Sequence, residues 1–338
     1  MKKYKNISNN RNIGIELLRM LFSFGILVIH CCNVKNKILL LILNKKPFHV
    51  SYFFLISFYF FYNTIQTRNI IKIKLRFLRI IIPYIIWPLI IYIINQLGYS
   101  PIHKTLIFKD LILQYIFGRK FYVIFWFQFN LIFITLLFTI ISFILKNNFL
   151  FMLQIIGIIA YYLQYSSFNY NYFGFYKDHI RYSLGLISEM IPIAVTGLSL
   201  GSINFIRKLL LIKKQSLLFT LMILFLILNF EVFYRPYGFF YPGILLNVGA
   251  ILVFSFFGIL FIDINLNKNF IIFISYITNY TGGVYYLHIF IREFLKEKIL
   301  LIKKRTYSGA IINYIICYLI CLIGNKIFRK TQLKYLFY

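Results

Sequence analysis

The chain has 338 residues, of which 61% are hydrophobic, 21% aromatic and only 13% charged, and its formal net charge is +29. So few charged residues exclude a soluble globular protein of this length and indicate a polytopic membrane protein. The positive charge does not indicate nucleic-acid binding, because the 37 Lys and Arg residues gather between apolar segments, where contact with lipid headgroups accounts for them.

Apolar segments long enough to cross about 30 Å of hydrocarbon recur along the whole chain. No polar stretch approaches the size of a soluble domain. We therefore predict an all-α polytopic membrane protein, a bundle of about ten transmembrane helices in a single domain over residues 1–338. The predicted spans cover residues 13–33, 50–66, 79–97, 121–145, 149–166, 183–203, 216–234, 241–262, 270–292 and 308–326.

The N-terminal stretch MKKYKNISNNRN is basic and precedes an apolar span, as in a signal peptide. That span contains Glu16 and Arg19 and lacks a small-residue cleavage site, so we predict a retained first helix. The basic leader and the run RNIIKIKLRFLR favour a cytoplasmic N-terminus. The run KEKILLIKKR before the last span opposes this orientation, and the loops on the two sides carry almost equal numbers of Lys and Arg.

The first span carries ionisable groups that are costly inside a membrane. Arg19 and His30 are eleven residues apart. This spacing is about three helical turns, or roughly 16 Å of rise, and returns to nearly the same helix face. Because ionisable residues at membrane depth mark functional sites, we predict that both side chains face one cavity. Glu16, one turn before Arg19, either belongs to the catalytic setting or forms an ion pair that lowers the cost of insertion.

Two arginines stand at the entry to the third predicted span. Arg76 and Arg79 are three residues apart and share one side of a helix. Guanidiniums at a helix start suit a phosphate-rich ligand, because Arg offers bidentate donors and the helix start adds free amides. Anchoring at the lipid headgroups is the alternative. Trp126 in the fourth span either stacks on a ring of a substrate or lies at the membrane interface.

Later spans hold two weaker candidates. Glu189 lies mid-helix in GLISEMIPIAV, where a charge is costly, and so is a candidate for an acceptor cavity or for proton handling. His288 in GGVYYLHIF either contacts substrate or is hydrogen-bonded within a core. The remaining histidines, His49, His103 and His179, fall in predicted loops and are expected to be solvated.

The four cysteines all lie at or inside predicted spans, so no disulfide framework is indicated. Cys31 and Cys32 adjoin His30, yet no second pair with ligand spacing accompanies them. We predict no metal site.

These landmarks resemble the membrane acyltransferase family 3, which includes O-antigen and other surface-polysaccharide O-acetylases. Three elements carry most of the resemblance. The family's acidic–Arg–His opening is similar to Glu16, Arg19 and His30, and its Arg-x-x-Arg element is similar to Arg76 and Arg79. Its Phe-rich second helix is similar to PFHVSYFFLISFYFF, where Phe58 stands in the place of the usual Gly. A Trp in the fourth helix and a late Tyr-Leu-His phrase also match, at Trp126 and His288.

The resemblance implies transfer of an acyl group, usually acetyl from acetyl-CoA as co-substrate, to a hydroxyl of a cell-surface or secretory-pathway glycan or a lipid-linked saccharide. No permanently bound cofactor is expected. His30 is then the general base, since His is best poised near neutral pH, with Arg19 and Glu16 as its electrostatic setting. The implied donor-binding residues are Arg76, Arg79 and Trp126, and the implied acceptor-binding residues are Glu189 and His288.

A transporter or flippase for an anionic or lipid-linked solute is the alternative, because intramembrane Arg, Glu and His also mark transport pathways. The sequence shows no paired halves with broken helices at matching positions. A purely structural scaffold leaves the intramembrane charges unexplained. The other large group of membrane-bound acyltransferases centres on a His and an Asn or Asp in later helices, whereas the candidates here lie in the first.

Overall fold

The computed structural model describes residues 12–32, 48–97, 107–118, 125–169, 179–209, 216–221, 223–224, 243–260, 267–296 and 298–337, and every regular element in these ranges is helical. The helices are α1 (Ile13–Cys31), α2 (Phe48–Gln66), α3 (Ile70–Gln96), α4 (Phe108–Phe117), α5 (Phe125–Leu145), α6 (Phe149–Asn169), α7 (His179–Ser202), α8 (Phe205–Leu209), α9 (Gly243–Leu260), α10 (Lys268–Thr278), α11 (Thr281–Leu295), α12 (Leu300–Lys303) and α13 (Tyr307–Ile327). Residues 216–221 and 223–224 are also helical, and short 3₁₀ segments cover Lys146–Asn148 and Gln332–Phe337.

Three helical runs in the described ranges are both long and apolar enough to cross a membrane, namely Ile70–Gln96, Phe125–Tyr162 and Tyr307–Ile327. Three further apolar helices are shorter, at Ile187–Ser202, Val248–Leu260 and Asn269–Thr278. The all-α membrane fold is therefore confirmed, while the count of ten spans stays a prediction.

Helix α1 begins at the predicted residue because Asn12 caps it. The Asn12 side-chain oxygen accepts a hydrogen bond from the Ile15 amide at 3.2 Å, which satisfies one of the free donors of the first turn. Its Nδ2 donates to the Gly258 carbonyl of α9 at 2.6 Å. Only a glycine fits at Gly14, since a Cβ there would lie 1.7 Å from the Phe257 carbonyl oxygen. The start of α1 is thus fixed directly against α9.

The buried apolar side chains form two core clusters. The first core cluster surrounds the N-terminal half of α1 and draws on α2, α5, α6, α7 and α9, with members that include Ile15, Leu18, Phe54, Phe58, Phe138, Leu198 and Phe254. The second core cluster surrounds the C-terminal half of α1 and draws on α3, α11, α13 and the C-terminal 3₁₀ segment, with members that include Leu27, Val28, Trp87, Leu287, Cys317 and Phe337. Helices α1, α3 and α5 contribute to both clusters, so they run between the two ends of the bundle.

The chain reverses between α5 and α6 where the fourth and fifth spans were predicted to part. Lys146 takes a left-handed backbone conformation with φ 46°, and the 3₁₀ segment Lys146–Asn148 joins two helices that contact each other. Three consecutive polar residues between apolar runs were sufficient to locate this turn.

The predicted start of the third span is corrected by nine residues. Helix α3 begins at Ile70 rather than residue 79, with Asn69 as its N-cap accepting from the Lys72 amide at 3.0 Å. The predicted span began where the continuous apolar run begins, but Lys and Arg are good helix formers, so the helix extends back through the basic residues. Arg76 and Arg79 therefore lie in the second and third turns of the helix, away from the free amides at its start.

The predicted ninth span, residues 270–292, is two helices rather than one. Helix α10 ends at Thr278, and α11 begins at Thr281 after a turn at residues 279–280. The Thr281 hydroxyl bonds back to the Thr278 carbonyl at 3.0 Å, and two glycines follow. A Cβ at Gly283 would lie 2.5 Å from Cys321 Sγ, so this glycine lets α11 pack closely against α13. The break gives α11 its own direction, and α11 carries the site described next.

Candidate active site

His30 lies in the last turn of α1, half-buried against α11. Its imidazole faces that of His288, with ring centroids 5.3 Å apart and ring planes inclined by 36°. The Arg292 guanidinium donates a hydrogen bond to the His30 carbonyl oxygen. His288 and Arg292 are four residues apart, so one face of α11 presents both side chains to the end of α1.

An ion network continues from this contact along α11. Arg292 pairs with Glu293, and Lys296 Nζ lies 2.9 Å from the second carboxylate oxygen of Glu293. One carboxylate thus balances two cations at the end of α11, the helix that holds His288. The network fixes the Arg292 guanidinium in the position from which it reaches the His30 carbonyl.

His288 is completely buried. Its Nδ1 lies 2.7 Å from the Tyr285 carbonyl oxygen, while its Nε2 has no hydrogen-bond partner among the described residues. Asn313 of α13 donates through Nδ2 to the His288 carbonyl at 2.8 Å and to Cys31 Sγ at 3.2 Å. This one amide therefore connects α13 to both helices that carry the histidines.

Two buried amides lie near the start of α5. Gln128 Nε2 hydrogen-bonds to the Tyr286 hydroxyl on α11 and lies 3.4 Å from the Ile80 carbonyl of α3. Gln128 Oε1 and both polar side-chain atoms of Asn130 have no hydrogen-bond partner within the described ranges. Unpaired buried amides are rare in cores, so these atoms mark a polar region inside the bundle.

Glu16 and Arg19 form an ion pair in the first two turns of α1, with Arg19 Nη1 3.1 Å from Glu16 Oε2. Glu16 is buried, and the Arg19 side chain is one-third exposed. No hydrogen bond or ion pair within the described chain joins Arg19 to His30. His30 lies at the C-terminal end of α1, which the second core cluster surrounds. The ion-pair interpretation of Glu16 is realised in the structure, and a catalytic role for the pair stays a prediction.

Arg76 and Arg79 have different surroundings. Arg76 donates to the Ser57 carbonyl at 3.1 Å, to Ser57 Oγ at 2.8 Å and to Thr135 Oγ1 at 3.3 Å, and its guanidinium lies 4.1 Å from the Phe61 ring centroid. Arg79 is exposed, with its guanidinium 5.9 Å from the Tyr335 ring centroid. Arg76 thus cross-links α2, α3 and α5, while Arg79 stays open to a ligand.

The other predicted donor and acceptor residues lie apart from the histidine pair. Trp126, at the start of α5, is half-buried and packs its ring edge-on to Phe127 at a centroid distance of 6.4 Å. Glu189 lies within α7, half-buried, and makes no ion pair or hydrogen bond with a described residue. The side chains of His49, His103 and His179 lie outside the described residues.

A cavity of about 470 Å³ opens between α3, α4 and α5. Its lining is almost wholly apolar and consists of Ile81, Tyr84, Ile85, Tyr115, Phe129, Ile132, Phe133 and Leu136. None of the predicted site residues lines it. The four cysteines are buried and form no disulfide, and within the described part of the chain no three His, Cys, Asp or Glu side chains cluster to hold a metal ion.

The sequence interpretation missed several polar residues that the structure brings to the histidines. These are Arg292, Glu293 and Asn313. Gln128 was missed as well, and it contacts Tyr286 on the same helix as His288. Gln128 and Asn313 each lie inside a strongly apolar segment. An isolated amide in such a segment is a sequence pattern that indicates a buried polar site. Arg292 is the last residue of the predicted span 270–292, a position typical of a cation at the lipid headgroups.

The fold and the buried imidazole pair define an integral membrane protein with a candidate catalytic site inside its helices. A family model described as an acyltransferase domain matches residues 12–328, which is nearly the whole chain, and the chain belongs to this acyltransferase 3 family. The protein is therefore an acyltransferase. Comparisons with curated proteins and with solved structures gave no match.

Proposed function

We propose that this acyltransferase transfers an acetyl group from acetyl-CoA to a hydroxyl of a cell-surface or secretory-pathway glycan or a lipid-linked saccharide, with His30 as general base. The observation that carries the proposal is the half-buried His30 imidazole, held at the end of α1 against α11. An alcohol needs a base to become a nucleophile, and imidazole is the side chain best suited to this near neutral pH.

The proposed step uses one ring nitrogen of His30. This nitrogen takes the proton of the acceptor hydroxyl as the hydroxyl oxygen attacks the thioester carbonyl carbon. The carbon–oxygen bond forms, the carbon–sulfur bond breaks, and the departing thiolate of CoA takes the proton back from His30. The products are the acylated hydroxyl and free CoA thiol, and His30 returns to its starting state.

Positive charge near the reacting carbonyl stabilises the oxyanion that develops there. The sequence assigned this role to Arg19. By the rise per residue, Arg19 lies roughly 16 Å along α1 from His30, and in the structure it is paired with Glu16. Arg292 supports the proposal more directly, because its guanidinium lies against the His30 backbone. Glu16 and Arg19 then lie toward the opposite end of α1 from the proposed base.

Binding the phosphates of acetyl-CoA requires accessible, permanently charged hydrogen-bonding groups. Arg79 fits this need because it is exposed and makes no hydrogen bond to a described residue. Arg76 supports the same surface from inside, since its hydrogen bonds to Ser57 and Thr135 hold α3 in place. Trp126 is proposed as a stacking surface for the donor, and Glu189 as an acceptor contact.

The experiment compares surface glycans from cells with and without the protein by mass spectrometry. We expect a mass increase of one acetyl group per modified site with the wild type and none with His30→Ala. An immunoblot of membranes checks that both proteins accumulate equally. Acetylation at the wild-type level by His30→Ala would overturn the general-base role, and an unmodified glycan with the wild type would overturn the assigned acceptor.

A further inference from the structure

The two ring nitrogens of His288 differ in their surroundings. Nδ1 lies 2.7 Å from the Tyr285 carbonyl oxygen. Because a carbonyl oxygen only accepts, Nδ1 must carry the hydrogen of this bond. Nε2 is buried and has no partner among the described residues. Protonation there would place an unpaired donor and a charge in the interior, so Nε2 holds a bare lone pair.

The ring of His288 also faces the imidazole of His30, with ring centroids 5.3 Å apart. A ring nitrogen lies about 1.2 Å from its ring centroid, so at this separation a His30 nitrogen turned toward His288 Nε2 can come within about 3 Å of it, an ordinary hydrogen-bond length. In enzymes without substrate, such bonds are often long and tighten only in the working complex.

The backbones on both sides of the pair are fixed independently of the rings. Arg292 holds the His30 carbonyl, and Asn313 binds both the His288 carbonyl and the sulfur of Cys31, the residue after His30. The two imidazoles are therefore held opposite each other by contacts that involve neither ring. Of the two rings, His30 is the one with partial exposure, and His288 lies behind it.

We propose that His288 is a positioning residue for His30. Its Nε2 accepts a hydrogen bond from one ring N–H of His30, so the other His30 nitrogen is left bare and directed toward the acceptor hydroxyl. This is the arrangement of a base oriented by a third group, with a neutral imidazole as the orienting acceptor. The inference rests on the proposed function, and it places His288 behind the base rather than in contact with the acceptor.

Two substitutions at His288 separate this role from a purely structural one. His288→Asn keeps a donor near the Nδ1 position for the Tyr285 carbonyl but has no acceptor at the Nε2 position. His288→Gln places an amide oxygen near the Nε2 position and cannot act as a base. Both are compared in membranes with the full-length wild type and with His30→Ala, using acetyl transfer from acetyl-CoA to isolated surface glycan as the assay.

We expect His288→Asn to lower kcat by about 100-fold, within the range that general-base catalysis contributes. Its Michaelis constants should stay within about twofold of the wild-type values, since ground-state binding is not altered. His288→Gln should recover at least about tenfold of the loss, because it restores an acceptor for His30. An immunoblot of the membranes shows whether each variant accumulates.

His288→Asn at the wild-type rate would reduce His288 to a structural residue and overturn the proposal. His288→Gln no faster than His288→Asn would also overturn it, since an acceptor alone would then not suffice. A wild type that transfers no acetyl group, or a fully active His30→Ala, would instead contradict the proposed function itself. The two failures are thus separated within one assay.

Discussion

Arg76 and Arg79 stand one turn apart on α3 and do different things. The Arg76 guanidinium makes hydrogen bonds to α2 and α5 and lies over the Phe61 ring, 4.1 Å from its centroid, and at 5.0 Å from the centroid of Phe58. The Phe58 ring provides part of the surface on which Arg76 lies. The Arg-x-x-Arg element is therefore one structural and one accessible arginine.

Replacing Arg76 with Ala should lower the free energy of unfolding by about 2–4 kcal/mol, because Ser57 and Thr135 lose a charged hydrogen-bond partner inside the bundle. Thermal unfolding of the purified protein in detergent measures the effect. Arg79→Ala is the matched control, since it removes an exposed guanidinium from the same helix face. Equal stability of the two variants would contradict the structural role of Arg76.

Replacing Arg79 with Ala should raise the apparent Michaelis constant for acetyl-CoA by about tenfold, equivalent to about 1.4 kcal/mol of lost phosphate contact. The Michaelis constant for the acceptor should not change. Initial rates at varied acetyl-CoA and fixed acceptor give the value. An unchanged constant for acetyl-CoA would return Arg79 to anchoring at the lipid headgroups.

Helices α2 and α7 approach closely because α7 presents small residues to α2. A Cβ on Gly197 would lie 2.4 Å from the Leu55 carbonyl oxygen, and a Cβ on Gly201 would lie 2.6 Å from the Tyr59 carbonyl oxygen. Small residues that let backbones meet are the usual basis of helix association in membranes. The glycines of AVTGLSLG therefore set the distance between these two helices.

Gly197→Ala should destabilise the protein by about 1–3 kcal/mol, because the methyl group meets backbone that can move only if the whole helix moves. Gly157→Ala in α6 is the matched control. Its Cβ would contact the side chain of Val195 at 3.3 Å, and a side chain can give way while alanine improves helix propensity. Melting temperatures of the two variants in detergent should differ clearly, and equal values would contradict close α2–α7 contact as the cause.

The two core clusters lie at opposite ends of the bundle, so a turn next to one cluster and a turn next to the other are on opposite sides of the membrane. The turn at residues 146–148 follows the end of α5 that contributes Phe138 to the first core cluster. The segment between α11 and α13 lies at the other end, where Cys32 Sγ contacts the Thr306 carbonyl at 3.4 Å. With the N-terminus in the cytoplasm, as the sequence predicts, the turn at residues 146–148 is cytoplasmic and the segment between α11 and α13 faces outward.

Single cysteines at Asn147 and Lys304 test this arrangement, since both residues are exposed and the four natural cysteines are buried. In intact cells, a membrane-impermeant maleimide should label Lys304→Cys and should label Asn147→Cys only after permeabilisation. The reverse pattern would place the N-terminus outside. If both cysteine variants are labelled in intact cells, the two positions lie on the same side of the membrane. That result would contradict an odd number of membrane spans between residues 147 and 304.

The sequence by itself determined the class of the protein and most helix boundaries. Membrane partition depends on the local length and hydropathy of a segment, so both ends of α1, α2 and α13 and the C-terminal end of α5 lie within two residues of their predicted positions. It also indicated His30 as a candidate site residue, because an imidazole in an apolar span is costly wherever the helix packs. These are properties that neighbouring residues in the chain decide.

Only the tertiary structure decided what His30 faces. His288 is 258 residues away in the chain, on a helix whose Gly283 packs closely against Cys321 and Phe337. The sequence related His30 to Arg19, about three turns away on the same helix face, because helical periodicity relates residues on one helix only. Which ring lies opposite depends on helix packing between distant segments, and no local pattern encodes that contact.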